Sequence, residues 1–304
     1  MKIGLIGLGD IAKKAYLPVL ANKEDIELIL CTRNRKTLQQ LADKYRISTY
    51  VETVDQLIAE NIDAAFISTA TKAHIEIANE LLEHGIHTYI DKPISFHFNE
   101  TKQIVDKAQE QNAIAMVGFN RRFAPMISDL IGKGKPNLVL IQKNRFALPG
   151  VPRQFVVEDF IHVVDTLRFL MQTEVIDVKV DFSYKDDLLQ HVVLQLIGDG
   201  TTAIGIMNRN SGVTEEIIEY TTEQHKYVID GLVTMTHYHN REKNTQSFGD
   251  WEPTLYKRGF YQIADHFIDC VKQNKTPEPS INDSLLTHDI CEQIISQIEA
   301  SISK

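Results

Sequence analysis

Over roughly the first 118 positions, short apolar runs at 2–6, 26–31, 64–68, 88–90 and 114–118 alternate with helix-length amphipathic segments. That alternation is the grammar of βαβ units and predicts a doubly wound parallel sheet. The helices carry their own signals. Leu38 and Leu41 stand three apart on one face, and His84-Gly85 ends the helix that holds Ile77, Leu81 and Leu82.

Beyond Arg122 the period becomes two. Val178, Val180 and Phe182 alternate with Lys179, Asp181 and Ser183, and the runs 189–197, 201–207, 215–221, 226–230 and 233–239 follow across polar or Gly-containing turns. They predict a large, mostly antiparallel open sheet with one polar face. Helical patterns at 154–171, 256–272 and 284–301 interrupt or close it, the last two separated by Pro277-Glu278-Pro279. The expected fold class is α/β: a Rossmann domain at 1–120 that binds NADP(H), then an α+β domain at 121–304 that binds substrate and oligomerises. The C-terminal helices are free to pack back on the first domain.

Composition narrows the functional classes. The chain has 304 residues, 43% hydrophobic and 24% charged, which excludes disordered and fibrous proteins and suits two domains. Its 32 basic and 41 acidic residues give a net charge of -9 with no long basic block, so nucleic acid is not an expected partner. Cys31, Cys270 and Cys291 form no close pair, which points to free thiols and a cytoplasmic location. The apolar run at 3–8 is too short for a signal peptide or membrane span, and nothing downstream supplies the ~20 apolar residues a span needs.

Candidate chemistry begins at Gly7-Leu8-Gly9-Asp10-Ile11-Ala12, a GxGxxA pattern between a strand and a helix. The first glycine makes a tight turn, the second lets a pyrophosphate approach the backbone, and Ala12 lets helix and strand pack closely. The position that separates the two nicotinamide cofactors lies at the end of the second strand. There the chain reads Cys31-Thr32-Arg33-Asn34-Arg35-Lys36, with no carboxylate between Glu27 and Asp43. A hydroxyl and three cations suit a 2′-phosphate, and cations opening a helix otherwise oppose its dipole. NADP(H) is therefore expected over NAD(H).

Three further segments fall beyond strand ends, where ligands bind in such sheets. They hold Ser68, Thr69 and His74; Asp91-Lys92-Pro93; and Gly118-Phe119-Asn120-Arg121-Arg122-Phe123-Ala124-Pro125. With the fingerprint, they make the chain resemble the Gfo/Idh/MocA oxidoreductase family over nearly its whole length. GFNRRFAP and EDFIHVVDTLRFL are similar, more narrowly, to the MviM-type oxidoreductases. The resemblance implies NAD(P)-dependent hydride transfer on a sugar, polyol or related hydroxy or keto compound. Asp91-Lys92-Pro93 resembles the family's Glu-Lys-Pro motif, which implies that Lys92 reaches the reacting oxygen and that Asp91 replaces a longer carboxylate.

The segment 154–171 is expected to carry the second catalytic set. Glu158, His162 and Asp165 share one helical stripe at i, i+4 and i+7, opposite Phe160, Val164, Leu167 and Met171. One face packs and the other presents titratable groups. The resemblance implies that this helix lines the cleft with His162 near the substrate and that Asn120 contacts the nicotinamide side; an imidazole, with an unperturbed pKa of ~6.5, is then expected to exchange the substrate's hydroxyl proton while a carboxylate orients its ring. His74 stands near the cofactor phosphates or caps its helix. Arg121 and Arg122 close the domain junction, hold a substrate anion or pair with acids. The aromatic segment 248–261 covers the substrate or packs in a dimer.

His237 and His239 share a strand face, but no ligand of matching spacing completes a metal site, and none is expected. A homodimer or larger homo-oligomer through the C-terminal sheet is expected. A non-catalytic NAD(P)-binding sensor of the same fold is the rival reading. It has no need of both Lys92 and His162.

Overall fold

The computed structural model describes residues 1–302, which form two units, each with its own sheet and core. The first comprises Met1–Phe119 and Phe260–Leu286. Its strands are β1 (Lys2–Ile6), β2 (Glu27–Cys31), β3 (Tyr50–Val51), β4 (Ala64–Ile67), β5 (His87–Ile90) and β6 (Ala115–Val117). They pair in the order β3-β2-β1-β4-β5-β6, every pair parallel. The inner strands read as continuous apolar runs because helices cover both sheet faces, and Ile3, Leu5, Ile29, Leu30, Phe66, Ile67, Tyr89 and Ile90 are all fully buried. β3, with two residues, is too short to leave a pattern in the sequence.

Strand order reverses between β1 and β4, so the loops after these strands flank a switch point. Aromatic rings fill the core beneath it. Phe66 stacks on Tyr89 at 4.5 Å, and Phe267 meets Phe66 edge-on at 5.3 Å. These contacts bring the helix Phe260–Gln273 into the first unit.

The second unit comprises Asn120–Gly259 and the C-terminal residues from Thr287. Its strands are β7 (Leu138–Asn144), β8 (Asp177–Lys185), β9 (Leu188–Gly198), β10 (Thr201–Asn208), β11 (Glu215–Thr222), β12 (His225–Asp230), β13 (Thr234–His239) and β14 (Glu242–Ser247). The order is β14-β13-β12-β11-β7-β10-β9-β8, antiparallel throughout except for β7 with β10. Two strands add to those expected. β14 reads Glu-Lys-Asn-Thr-Gln-Ser and is wholly exposed, so it carries no apolar signal. β7 is central, and its buried residues include Lys143, a type that a strand pattern counts as outward-facing.

The helix Ile161–Met171 lies against β7 and β10. Gly205 of β10 permits the approach: a Cβ there would stand 2.7 Å from Val163 and 2.8 Å from Leu167. The expected helix 154–171 is in fact Pro152–Gln154, a π-helical segment Phe155–Phe160 and the α-helix Ile161–Met171. The wider turn resets the register assumed for Glu158 against His162. Among the described residues no helix is long and apolar enough to cross a membrane.

Candidate active site

The fingerprint loop leaves β1 through Gly7, whose φ of +85° favours glycine and whose added Cβ would lie 2.8 Å from the Thr69 backbone. The turn is pinned from two sides. Gly7 N–H donates to the Cys31 carbonyl at 2.9 Å, and the Ser68 hydroxyl lies 2.8 Å from the Gly7 carbonyl and 3.1 Å from that of Ile6. Ser68, expected at the cofactor, is 3% exposed, and its hydroxyl shapes the fingerprint loop. Gly9 is the opposite case: it is exposed, and a Cβ built there meets nothing within 4 Å.

Helical structure begins at Asp10, whose carboxylate pairs with Lys14 at 2.9 Å. Ile11 is half-buried, Ala12 is fully buried, and a π-helical turn Ala12–Tyr16 runs into Leu17–Leu20. A tight turn, an open backbone, free N–H groups at a helix start and a small packed residue fit a dinucleotide pyrophosphate.

At the end of β2, Asn34 accepts the Thr37 N–H at 3.0 Å and so caps the helix Arg35–Tyr45. Thr32 is half-buried, Arg33 and Lys36 are exposed, and Arg35 approaches Glu52 only to 3.7 Å. Arg33 and Lys36 have no carboxylate partner among the described residues.

His74 does not cap its helix but joins two loops at the strand ends. It is 1% exposed, with Nδ1 2.8 Å from the Pro93 carbonyl and Nε2 3.1 Å from the Thr69 carbonyl. It ties the loop after β4 to the loop after β5, and its helix has no side-chain cap.

Asp91, Lys92 and Pro93 leave the end of β5, with the Lys92–Pro93 peptide cis. Lys92 is half-buried. The Asp91 carboxylate accepts the Tyr16 hydroxyl at 2.6 Å, and the Tyr89 hydroxyl lies 3.4 Å from that of Tyr16. Burial pushes the Asp91 carboxyl above its ordinary range, while the Lys92 charge, the Tyr16 hydrogen bond and His74 pull it back. Gly118 closes over this group: a Cβ there would come 2.9 Å from the Tyr16 oxygen, 3.0 Å from that of Tyr89 and 3.2 Å from Asp91 Oδ1.

In the second unit, the titratable stripe expected on the helix Ile161–Met171 is not a solvated face. His162 is 9% exposed and Asp165 1%. Both Asp165 oxygens are engaged by Arg122, at 2.6 and 2.9 Å, and Thr287 adds a hydroxyl at 3.1 Å. Asp165, expected among the catalytic groups, is thus an internal counter-ion for Arg122. Glu158 on the π-helical segment is exposed. Its neighbour Asp159 pairs with Lys143 and Arg145; burial raises its carboxyl, and those two cations lower it by more, holding it well below the usual range.

Arg121 is paired in the same manner. Its guanidinium meets Glu216 at 2.5 and 3.0 Å, and although burial raises the Glu216 carboxyl, Arg121 and Lys143 outweigh that and hold it at about 2. Asn120, expected at the nicotinamide, is 6% exposed and donates its amide to the Arg258 carbonyl at 2.8 Å. Nearby, Gly259 (φ +79°) has no room for a Cβ, which would lie 2.3 Å from the Asn120 carbonyl oxygen.

Of the two remaining motifs, the histidine pair gains a member. His225 lies opposite His239 and bonds His237 through ring nitrogens 2.9 Å apart, with the rings stacked. Among the described residues no group of three His, Cys, Asp or Glu is arranged to hold a metal. In the segment 248–261, Phe248 packs edge-on against Tyr256, and Trp251 is 97% exposed.

The residues overlooked in the sequence are Tyr16 and the ion-pair partners Glu216 and Lys143. Tyr16 stands four positions past Ala12 on the fingerprint helix, so helical spacing alone could have raised it. Glu216 and Lys143 lie on strands remote in sequence from Arg121 and Asp159, and nothing local marks them.

Residues 1–119 match the model of an oxidoreductase family with an NAD-binding Rossmann fold. At 24% identity, the scyllo-inositol 2-dehydrogenase (NAD(+)) of Bacillus subtilis aligns over 79% of this chain and 76% of its own. Among solved structures, the dehydrogenase MviM from Clostridium difficile is 29% identical, covers 98% of this chain and 99% of its own, and has a TM-score of 0.93. A Gfo/Idh/MocA family oxidoreductase from Vibrio cholerae is 32% identical, with all of both chains covered and a TM-score of 0.96. Agreement of that extent takes in both sheets, from the cofactor fingerprint to the last helix, and the chain is a member of the Gfo/Idh/MocA family of oxidoreductases.

Proposed function

We propose that this oxidoreductase transfers a hydride between NADP(H) and a carbon bearing a hydroxyl or keto group in a sugar, polyol or related compound. The observation that carries the reading is the Asp91-Lys92-Pro93 loop at the carboxyl end of β5, in the same unit as the open backbone at Gly9. When bound, the nicotinamide supplies the hydride acceptor or donor.

The chain's own residues do the rest. Gly7, Gly9 and the helix start at Asp10 hold the pyrophosphate, while Thr32, Arg33, Arg35 and Lys36 hold the 2′-phosphate. Lys92 donates to the substrate oxygen and stabilises negative charge developing there. His162 takes the hydroxyl proton during oxidation and returns it during reduction. Glu158 supplies the exposed carboxylate of this set, and Asp165 acts from behind as a positioning residue, its pair with Arg122 fixing the helix that carries His162. The reading includes a cytoplasmic homo-oligomer, supported by the half-exposed Val193, Ile204, Ile206 and Ile217 on the second sheet.

The test is a panel of sugars, inositols and their keto forms with NADP(H) and NAD(H), following absorbance at the nicotinamide band. Turnover is expected on at least one member, and Lys92→Met or His162→Ala should lower it without abolishing NADPH binding. Tight NADPH binding with no turnover across the panel favours the sensor instead. Tighter binding of NADH than NADPH overturns the cofactor assignment.

A further inference from the structure

The family motif places a glutamate before the lysine, and this chain has an aspartate, one methylene shorter. We infer that Tyr16 completes the motif as a positioning residue that holds the Asp91 carboxylate and, through it, the charge and aim of Lys92; this rests on the role given to Lys92 above.

The geometry is direct. Tyr16 is 1% exposed, and its hydroxyl is 2.6 Å from Asp91 Oδ1 against 3.4 Å from the Tyr89 hydroxyl, so its single proton goes to the carboxylate. The ring is held in place by Tyr89, Phe260 and Phe66, at centroid distances of 5.4, 5.7 and 6.0 Å. Gly118 leaves the space in which the two hydroxyls and the carboxylate meet. On the far side of Lys92, His74 bridges the carbonyls of Pro93 and Thr69. The loop is therefore fastened at residue 91 by the fingerprint helix and at residue 93 by the helix His74–Glu83. Lys92 is the residue between the two fastenings.

The charged and titratable groups that face Asp91 are Tyr16, Lys92 and His74, with Tyr89 behind Tyr16. Each of the first three favours the ionised carboxylate, against burial. Deleting the Tyr16 hydroxyl removes one of them. Asp91 then ionises only at higher pH, and below that pH the charge that Asp91 sets beside Lys92 is lost.

Tyr16→Phe keeps the ring and removes one oxygen. The first readout needs no substrate: the carboxyl carbon of Asp91 is titrated by NMR in protein labelled with 13C-aspartate and saturated with NADP+, its signal assigned by loss in Asp91→Asn. The midpoint should rise by about one pH unit in Tyr16→Phe, with NADPH affinity within about twofold of the parent. With a substrate from the panel, kcat should fall about tenfold or more, and the acid limb of its pH profile should move up by the same interval. An unmoved Asp91 midpoint overturns the proposal. If Tyr16→Phe fails to fold, 3-fluorotyrosine at position 16 replaces it: its more acidic hydroxyl is the stronger donor and should lower the Asp91 midpoint, and an unmoved midpoint there overturns the proposal. Lys92→Met separates the two readings: full turnover in that variant defeats the catalytic role of Lys92, whereas its loss beside an unmoved Asp91 midpoint defeats the Tyr16 link alone.

Discussion

Arg122→Met tests whether the ion pair inside the second unit holds the histidine helix in place. In the folded chain the two side chains are 6% and 1% exposed, joined by hydrogen bonds of 2.6 and 2.9 Å, and the guanidinium also lies 5.5 Å from the Phe169 ring centre. The substitution leaves the Asp165 carboxylate buried with the Thr287 hydroxyl at 3.1 Å. Breaking a buried pair from one side typically costs about 3–5 kcal/mol, because the surviving charge stays out of water. Against a total stability of about 5–15 kcal/mol, that is a large fraction. The only tryptophan, Trp251, is 97% exposed and a poor reporter, so urea unfolding should be followed by far-UV circular dichroism, with hydrogen exchange on β7 and β10 assigning the loss to the second unit. Arg122→Met combined with Asp165→Leu removes both charges and should recover most of the loss, to within about 2 kcal/mol of the parent. A cost below about 1 kcal/mol for Arg122→Met refutes the reasoning. So does an Asp165→Asn variant that keeps full stability yet loses all turnover, since Asp165 would then act in the chemistry.

The two fingerprint glycines should part company. Gly7→Ala should lower stability by more than ~1–2 kcal/mol, the usual cost of a side chain at positive φ, because it also strikes the Thr69 backbone. Gly9→Ala should leave the unfolding midpoint unchanged and weaken NADPH binding by about tenfold or more, read by fluorescence titration. Arg33→Ala should weaken NADPH by about 10- to 100-fold while leaving NADH unchanged, the worth of a lost charge-assisted bond of about 1.5–3 kcal/mol; equal losses for both cofactors would sink the 2′-phosphate assignment. Glu216, with its carboxyl held at about 2 against an ordinary 4.5, adds stability that is fully present above about pH 4.5 and is lost as pH falls toward 2. That contribution, roughly 3 kcal/mol, should vanish from the acid limb of urea stability in Glu216→Gln. Cys31, Cys270 and Cys291 are all buried, and burial pushes their thiols up, that of Cys31 to about 12, so a disulfide reagent at pH 8 should react only after denaturant is added.

How far a residue's role can be read from sequence depends on where its partners stand. The cofactor turn is legible because its demands fall within six consecutive residues, Gly7 to Ala12, after a strand whose apolar run is unbroken. The two-period strands from 177 onward are legible for the same reason, and β14 is not, because a wholly exposed edge strand has no buried face to impose a pattern. Asp165 shows the opposite limit. A carboxylate three positions after a histidine on a helix reads as exposed and available, since a lone buried charge is too costly to assume. What reverses the reading is Arg122, 43 positions away, and the same applies to Glu216, 95 positions from Arg121, and to Tyr16, 75 positions from Asp91. In each case one member is conspicuous in the sequence only as a polar residue of uncertain purpose. The pairing cannot be inferred from either member because the fold, not the spacing, brings the opposite charge or the donor into reach. Arg121 and Arg122 sharpen the point: adjacent and alike, they face different acids on different elements, one on β11 and one on the histidine helix. A double arginine at a domain boundary invites a single explanation, such as an anion on the substrate, and the structure gives it two, both internal to the second unit.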